Sequence, residues 1–447
     1  MRVCEESERK SSYVEFQAII LAGGGGSRLY PLSENRPKSL VEVANRPLLA
    51  FQLQLLEQAG FSEVIVITIQ SQATLISRYC NEVYDGRIGI QIAVVDDQIG
   101  TADAIRSIKD RIKTDFLVIS GDLITDVQIH YLADIHRTQD ATLTSLLWKD
   151  DSEHAHKPKR DTNFKHYIAL DNVAQQRMLC YRAVDDVEDE TLNVPKSLLL
   201  RYPDLTIYST LRDAHCYIFS HWIIRLLDEL SDISSLQAEL IPFLTEHQFS
   251  GDQSILRFSS PNPQALALSM ADFPRREPGL LRERSKSTDK DSIKCFAFIA
   301  PADRFCRRAV TANDFQELNR FVVNRVFHDP NSQWSESILD SNHLQSLKAE
   351  YPQAQFGPNC IIGASVKVGE QTSLKRCVVG KHCRIGNRVR AVDSVFMEHV
   401  VIEDDCVIKD SVICDGASIS QDCLLESVIV AGHLTVAANT HIFSSNY

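Results

Sequence analysis

The sequence predicts two architectures in series: an α/β domain built on a mostly parallel sheet, then a parallel β-helix. Three observations carry this. Short β-branched apolar runs alternate with stretches of helical spacing over the first half of the chain. One run enters four consecutive glycines, Gly23 to Gly26, as a buried strand does when it ends in a tight loop. Past residue 350, aliphatic residues recur with a six-residue period.

Residues 1–13 are charged and lack an apolar core, so they read as a disordered leader and not as a secretory signal. The α/β domain is expected over residues 14–250. Phe16 to Leu21 reads as a strand, Leu48 to Gln58 as a helix ending at Gly60, and Glu63 to Ile69, Ile90 to Val95 and Phe116 to Ser120 as further strands. Sheets of this kind bind ligands beyond the carboxyl ends of their strands, where the glycine loop falls. Without Cβ atoms such a loop can aim backbone N–H groups at one anion. Arg28 adds a planar fork of donors and Lys38 a point charge. Gly23, Gly24, Gly26, Arg28 and Lys38 are therefore a candidate cradle for a di- or triphosphate, and equally a plain turn followed by surface cations. The spacing is neither that of a P-loop nor that of a dinucleotide fingerprint. Gly100 and Thr101 open a helix after the strand ending at Val95, where Thr101 could equally be a cap. Asp122 ends the next strand. A single carboxylate there can serve Mg²⁺ when phosphate and water fill the other positions, or simply cap a helix.

Residues 251–345 read as a linker with a partly ordered insert. Ser259 to Pro263 and Asp272 to Asp291 are rich in Pro, Ser and charge without apolar periodicity. The basic cluster Arg275, Arg276, Arg282, Arg284 and Lys286 is a solvated tether or a contact for an acidic partner. Ile293 to Ala300 reads as a strand and Phe315 to Val326 as a helix packed between the flanking domains. Residues 346–447 carry the repeat, marked by Ile362-Gly363, Val368-Gly369, Val379-Gly380 and Ile385-Gly386. Inward aliphatics, small residues at the corners and three hexads per coil predict about five coils. His382, His399, His433 and His441 lie in or near it and read as surface corner residues. The flat faces and open ends suit another chain.

A net charge of −12 argues against nonspecific binding to nucleic acid or an anionic membrane. No apolar run reaches the length of a membrane span. The twelve cysteines are scattered, with no Cys-x-x-Cys, which predicts reduced, buried thiols in the cytosol.

The stretch from Gly23 to Leu40 resembles the signature of sugar-1-phosphate nucleotidyltransferases, Gly-Gly-x-Gly-Ser/Thr-Arg-Leu-x-Pro-Leu followed by Pro-Lys-Pro-Leu, with Ser39 in place of the second of these prolines. Gly100-Thr101-Ala102 resembles the segment whose backbone faces the nucleotide base. Ser120-Gly121-Asp122 resembles the Gly-Asp pair whose aspartate holds Mg²⁺ against the phosphates. The resemblance implies in-line attack of a sugar phosphate on a nucleotide α-phosphate, with catalysis by positioning and charge neutralisation. It also implies a Glu-Lys-Pro lysine on the sugar phosphate and a second, later aspartate on the metal. Between His166 and Phe219 no Glu-Lys-Pro occurs. Arg177 to Tyr181 takes its place, followed by the acidic run Asp185 to Glu190, which would repel a phosphate substrate. Asp213-Ala214-His215-Cys216-Tyr217 lacks the family's Asn-Ala-Gly. The nucleotide half of the pocket is kept in sequence and the sugar half is lost. Ser234 to Leu244 resembles the stretch that closes the domain and reads as an amphipathic helix ended by Pro242.

Together the two parts resemble the nucleotidyltransferase-like superfamily with a left-handed β-helix. It includes GDP-mannose and ADP-glucose pyrophosphorylases and two subunits of eukaryotic translation initiation factor 2B. Glu15 to Ala18, Lys113 to Asp126, Asp213 to Tyr217, Ser234 to Leu244 and the late Ser-Val-Ile hexads resemble the gamma subunits in particular. No HEAT-like helical domain follows the β-helix, whereas the epsilon subunits carry one. The resemblance implies a noncatalytic cytosolic subunit of a guanine nucleotide exchange factor. It would pair with the epsilon and other subunits, act on initiation factor 2, and need no cofactor, nucleic acid or membrane. A second reading stays open: an active sugar-1-phosphate nucleotidyltransferase with Mg²⁺ at Asp122 and Arg28 and Lys38 on the phosphates. The glycine loop resembles an active enzyme's more than a noncatalytic subunit requires. A third reading is a regulatory partner that binds sugar nucleotide without turnover.

Overall fold

The structure, a computed structural model, describes residues 15–150, 166–171, 176–183, 194, 196–249, 293–329, 334, 338 and 341–443. The leader, the acidic run Asp185 to Glu190, and the polar stretches with the basic cluster Arg275 to Lys286 lie outside these residues.

The first half folds around strands β1 (Phe16–Leu21), β2 (Glu63–Ile69), β3 (Gly89–Val95), β4 (Asp115–Ser120), β5 (Leu123–Thr125), β6 (Leu143–Lys149) and β7 (Leu211–Phe219), joined by β8 (Cys295–Ile299) and β9 (Cys306–Arg308). Seven of them form one sheet in the order β8-β6-β7-β4-β1-β2-β3. Only β7 runs antiparallel to its neighbours. The apolar runs that mark the inner strands are buried on both sides, because each face meets its own core, while the edge strand β3 buries only Ala93. Ile19, Ile65, Ile67, Phe116 and Val118 lie on one face. Ala18, Ile20, Val64, Val66, Leu117 and Ile119 lie on the other, against the helix α1 (Leu48–Gln58). A smaller antiparallel sheet of His166–Asp171, Met178–Ala183 and Leu205–Tyr208 stands beside it.

Residues 293–329, within the stretch read as a linker, are part of this body. Strand β8 pairs with β6, and β9 pairs with β5 in the register Arg308↔Leu123. The helix α2 (Ala312–His328) follows, opened by a capping box in which Thr311 and Asp314 satisfy each other's backbone N–H. Its stripe of Phe315, Leu318, Val322, Val323 and Val326 has helical spacing and is fully buried. That stripe shares one core with Leu29, Leu32, Val41 and Phe51 from the first domain and with Ile361, Val378, Val395, Val412 and Ile429 from the β-helix. Polar contacts clasp the same junction. Arg36 reaches Glu398 at 3.0 Å and Asp415 at 2.9 Å, Lys381 reaches Glu42 at 3.3 Å, and Asn45 donates to the Val379 carbonyl at 2.8 Å.

The β-helix has three parallel sheets of six, five and five strands. The rungs repeat every 17 residues, as between Arg376 and Asp393, and not every three hexads. Left-handed backbone at Asn359, Ser365, Gln371 and Arg376 shows why: two sides take six residues and the third takes five. The corners are also not small residues. Each is a left-handed position, filled mainly by Asp, Asn, His, Arg and Ser, whose N–H bonds back to the rung before, as His399 does to Lys381 at 3.0 Å. His382, His399 and His433 are such corners, exposed, with the first two rings stacked at 5.0 Å. The eleven cysteines among the described residues are free thiols, ten of them buried. Burial pushes the Cys377 thiol up to about 12.

Pro242 does not end its helix. A π-turn at Leu236–Leu240 runs into a helix over Ile241–His247, with Pro242 in the first turn of the latter. The Leu240 N–H bonds five residues back to Ser235. Such a widened turn, just before a residue with no N–H, lets the chain stay helical through proline.

Candidate functional site

Strands β1 and β4 pair in parallel up to Leu21↔Ser120, so the glycine loop and Asp122 emerge side by side. Gly121 donates its N–H to the Leu21 carbonyl, and a Cβ placed there would stand 2.9 Å from that oxygen. Only glycine allows this approach. Gly26 adopts φ 60 and its carbonyl accepts from Ser33 Oγ at 2.7 Å, while a Cβ on Gly23 would press on Ile69 at 3.0 Å. Gly24 faces open solvent. The loop then makes a single turn, Ser27–Leu29, that buries Leu29 in the junction core and leaves Arg28 exposed. A second turn, Lys38–Leu40, carries Lys38 inward.

Of the cradle residues, Lys38 is the one that meets Asp122, which is 3 % exposed. Lys38 Nζ lies 2.5 Å from its Oδ2, and Ser120 Oγ donates to Oδ1 at 2.7 Å. Arg308, from β9, closes on both oxygens: Nε to Oδ1 at 2.9 Å and Nη2 to Oδ2 at 3.0 Å. The pairing of β9 with β5 and an N–H from Ala309 to the Asp122 carbonyl at 2.9 Å hold it in place. Burial alone would push the Asp122 carboxyl up, but Arg308 and Lys38 draw it well below the usual carboxylate range. A carboxylate offers about four lone-pair positions. Ser120, Lys38 and the two arms of Arg308 take four. The residues present therefore do not fit a resident Mg²⁺ at Asp122. The sequence reading did not find Arg308. Its local signal is only a charge inside the short run Phe305 to Ala309, and its pairing to Asp122 spans 186 residues.

Gly100 and Thr101 lie at the start of a seven-residue helix, Thr101–Ser107, Gly100 half-buried and Thr101 exposed, with the Ser234–Leu236 backbone packed against both. A Cβ on Gly100 would stand 2.1 Å from the Ser234 carbonyl. The Ala102 N–H donates to that carbonyl at 2.8 Å, and the Thr101 hydroxyl accepts from Leu236 N at 2.9 Å.

On the other side of Arg308 sits a closed polar cluster. Asp213 is buried and accepts from Tyr181 and Tyr217 hydroxyls, each at 2.7 Å, and from the His215 N–H at 2.8 Å. Gln237 donates to the Tyr181 oxygen at 3.1 Å, and the His166 ring packs on Tyr181 at 4.8 Å. His215 sits where the register of β7 against β6 shifts, with φ 51. The family's Asn-Ala-Gly has glycine at this third position, and here an imidazole with a buried Nε2 stands instead. Burial first, and the Arg308 charge second, lower its pKa to about 4. Arg177, in the place of Glu-Lys-Pro, donates to Gln248 at 3.3 Å and lies over the Phe249 ring at 5.2 Å.

Comparison with known proteins gives the family. Residues 17–156 match the family model described as Nucleotidyl transferase, and residues 346–442 the one described as EIF2B subunit epsilon LbH domain. The chain is 33% identical to the translation initiation factor eIF2B subunit gamma of Dictyostelium discoideum, over 81% of this chain and 86% of that one. It is 30% identical to the eIF2B subunit gamma of Schizosaccharomyces pombe, over 69% and 66%. Similarity to a mannose-1-phosphate guanyltransferase of Candida albicans, 30% identical, covers 30% of this chain and 38% of that one. Strand order, glycine loop, β-helix and near full-length similarity agree: the chain belongs to the family of eIF2B gamma subunits.

Proposed function

We propose that this chain is a noncatalytic gamma subunit of initiation factor 2B. It would pair with the epsilon and other subunits in the cytosol and promote GDP/GTP exchange on initiation factor 2. The observation that carries the noncatalytic part is the Asp122 carboxylate, saturated by Lys38, Ser120 and Arg308 where a transferase needs a metal. The filled cluster around Asp213 supports it, because it leaves His215 where a sugar would need room. In place of chemistry the fold offers surface. One β-helix face is consumed by α2, while the faces carrying Lys367 and Arg384, and Lys375, Arg390 and Lys409, point outward. Among the described residues no helix is long and apolar enough to cross a membrane.

Tagged chain purified from cytosol, weighed by native mass spectrometry, should carry the companion subunits; a lone homo-oligomer defeats the proposal. The second reading, an active sugar-1-phosphate nucleotidyltransferase, is favoured by the retained loop with Arg28 and Lys38. Pyrophosphate release from nucleoside triphosphates plus sugar 1-phosphates with Mg²⁺ should be absent. Steady release abolished by Arg28→Ala and by Asp122→Ala would establish that reading instead.

A further inference from the structure

The family's reaction places a divalent cation at the carboxylate corresponding to Asp122, with a second aspartate to help hold it. In this chain the group that closes on Asp122 from the later segment is a guanidinium. Arg308 is 14 % exposed at its side chain, lies on a hydrogen-bonded strand, and meets Asp122 through two parallel N–H···O contacts. That planar, permanently charged fork matches a carboxylate and has no neutral form to give way with. Two cations, Lys38 and Arg308, face the one carboxylate of Asp122, and Arg308 also lies in the field of Asp213. A divalent ion would have to evict a buried Arg308 and approach against Lys38.

We propose that Arg308 is a built-in replacement for the metal: the Asp122 site excludes divalent cations, and any phosphate bound at the loop is held without one. This deepens the noncatalytic reading and rests on it. The consequence is chemical. Lys38 and Arg308 are fixed charges that can hold a ground-state phosphate, but they cannot supply the movable Lewis acid that bridges phosphates in transfer.

The probe is Mn²⁺, counted on the full-length chain by electron paramagnetic resonance. The wild type and Asp122→Asn should take up the same amount. Arg308→Asp, which sets a second carboxylate beside Asp122, should gain one Mn²⁺ per chain, and adding Asp122→Asn should remove it. The gain should also appear as a rise in melting temperature with Mn²⁺, seen only in Arg308→Asp. One Mn²⁺ bound by the wild type and lost in Asp122→Asn overturns the proposal. So does a folded Arg308→Asp with no gain. If Arg308→Asp does not fold, Arg308→Met removes the guanidinium at similar volume, and a folded Arg308→Met that takes up no more Mn²⁺ than the wild type overturns it as well. These outcomes are separate from assembly. A chain that co-purifies with companion subunits yet binds Mn²⁺ at Asp122 refutes this inference alone.

Discussion

The phosphate half and the sugar half of the family signature are carried in this chain in two physically different ways. The phosphate half keeps its residues and cancels them. Lys38, Ser120 and Asp122 stand together at the ends of adjacent strands, but the carboxylate is neutralised by an arginine from far along the chain. The sugar half replaces its residues and fills the space. Tyr181, Tyr217 and the His215 backbone all donate to Asp213, and an imidazole occupies the third place of the family's Asn-Ala-Gly. The comparison teaches that packing alone can hold much of a ligand-binding motif in place. Gly100 and Gly121 are required by close packing against backbone and Gly26 by its left-handed conformation, so the fold would hold these three in place with no ligand at all. Asp122 has likewise become an anchor, tying the sheet to β9 and so to α2 and the junction core.

The comparison predicts that the charge-locked half is the more fragile. Arg308→Ala leaves a buried carboxylate with one cation and two vacated acceptor positions. Removing one member of a buried pair costs about 3–5 kcal/mol. Urea unfolding of the full chain measures it. Arg308→Ala/Asp122→Ala should recover part of the loss, because the orphaned charge is gone too. A cost below about 1 kcal/mol would mean that water reaches Asp122, as at a surface pair. The sign with pH is fixed by the direction of the shift. Asp122 is lowered in the folded state, so its contribution is whole above the unfolded value of about 3.9, is lost progressively as pH falls below that value, and is gone once pH has fallen through the folded one.

Asp213→Ala should come next, at about 3 kcal/mol, because it strands two buried hydroxyls and a backbone N–H that had one acceptor group between them. Tyr181→Phe removes one of those bonds and should cost about 1 kcal/mol by the same urea measurement. If the two variants cost the same, the cluster is wet and the sugar half is not closed.

His215 supplies the third break point. Its pKa falls from 6.5 to about 4, so between those values the unfolded chain binds a proton that the folded chain refuses. Stability should therefore decline by roughly 3 kcal/mol as pH drops through that window. His215→Asn, which tolerates left-handed backbone, should flatten this part of the profile. An unchanged slope would place the imidazole in water.

What could be read from sequence, and what could not, divides along the same physical line. Phe16 to Leu21, Glu63 to Ile69 and Leu48 to Gln58 match their elements end to end, because continuous apolar runs and helical spacing are local signals. The β-helix phase was equally legible from residues such as Ile385 and Ile402. The 17-residue rung was also present, in the spacing of Ile362 to Val379 and of Ile385 to Ile402, but the hexads within each coil hid the one five-residue side. The absence of a Glu-Lys-Pro lysine was visible, but not what fills the space, because Tyr181, Asp213 and Gln237 meet only in the fold. Arg308 was hidden for the same reason. A strand pairing between Leu123 and residue 308 leaves no periodicity in either segment.

The smallest expected effect sharpens the comparison most. Arg28 and Arg308 carry the same side chain, one exposed on the glycine loop and one half-buried against Asp122. Exposed ion contacts contribute about 0–1 kcal/mol, and solvent takes over when they go. Leu29, not Arg28, ties the loop to the junction core, so truncating Arg28 leaves that anchor intact. Arg28→Ala should thus change unfolding stability by less than about 0.5 kcal/mol. If the phosphate half still holds anions, tripolyphosphate without divalent metal should raise the melting temperature of the wild type, and Arg28→Ala should reduce that rise. An equal rise in both would assign the anion to Lys38 and Arg308 alone. A large loss of stability in Arg28→Ala would mean that the loop, like Asp122, is locked by its charges and not merely decorated with them.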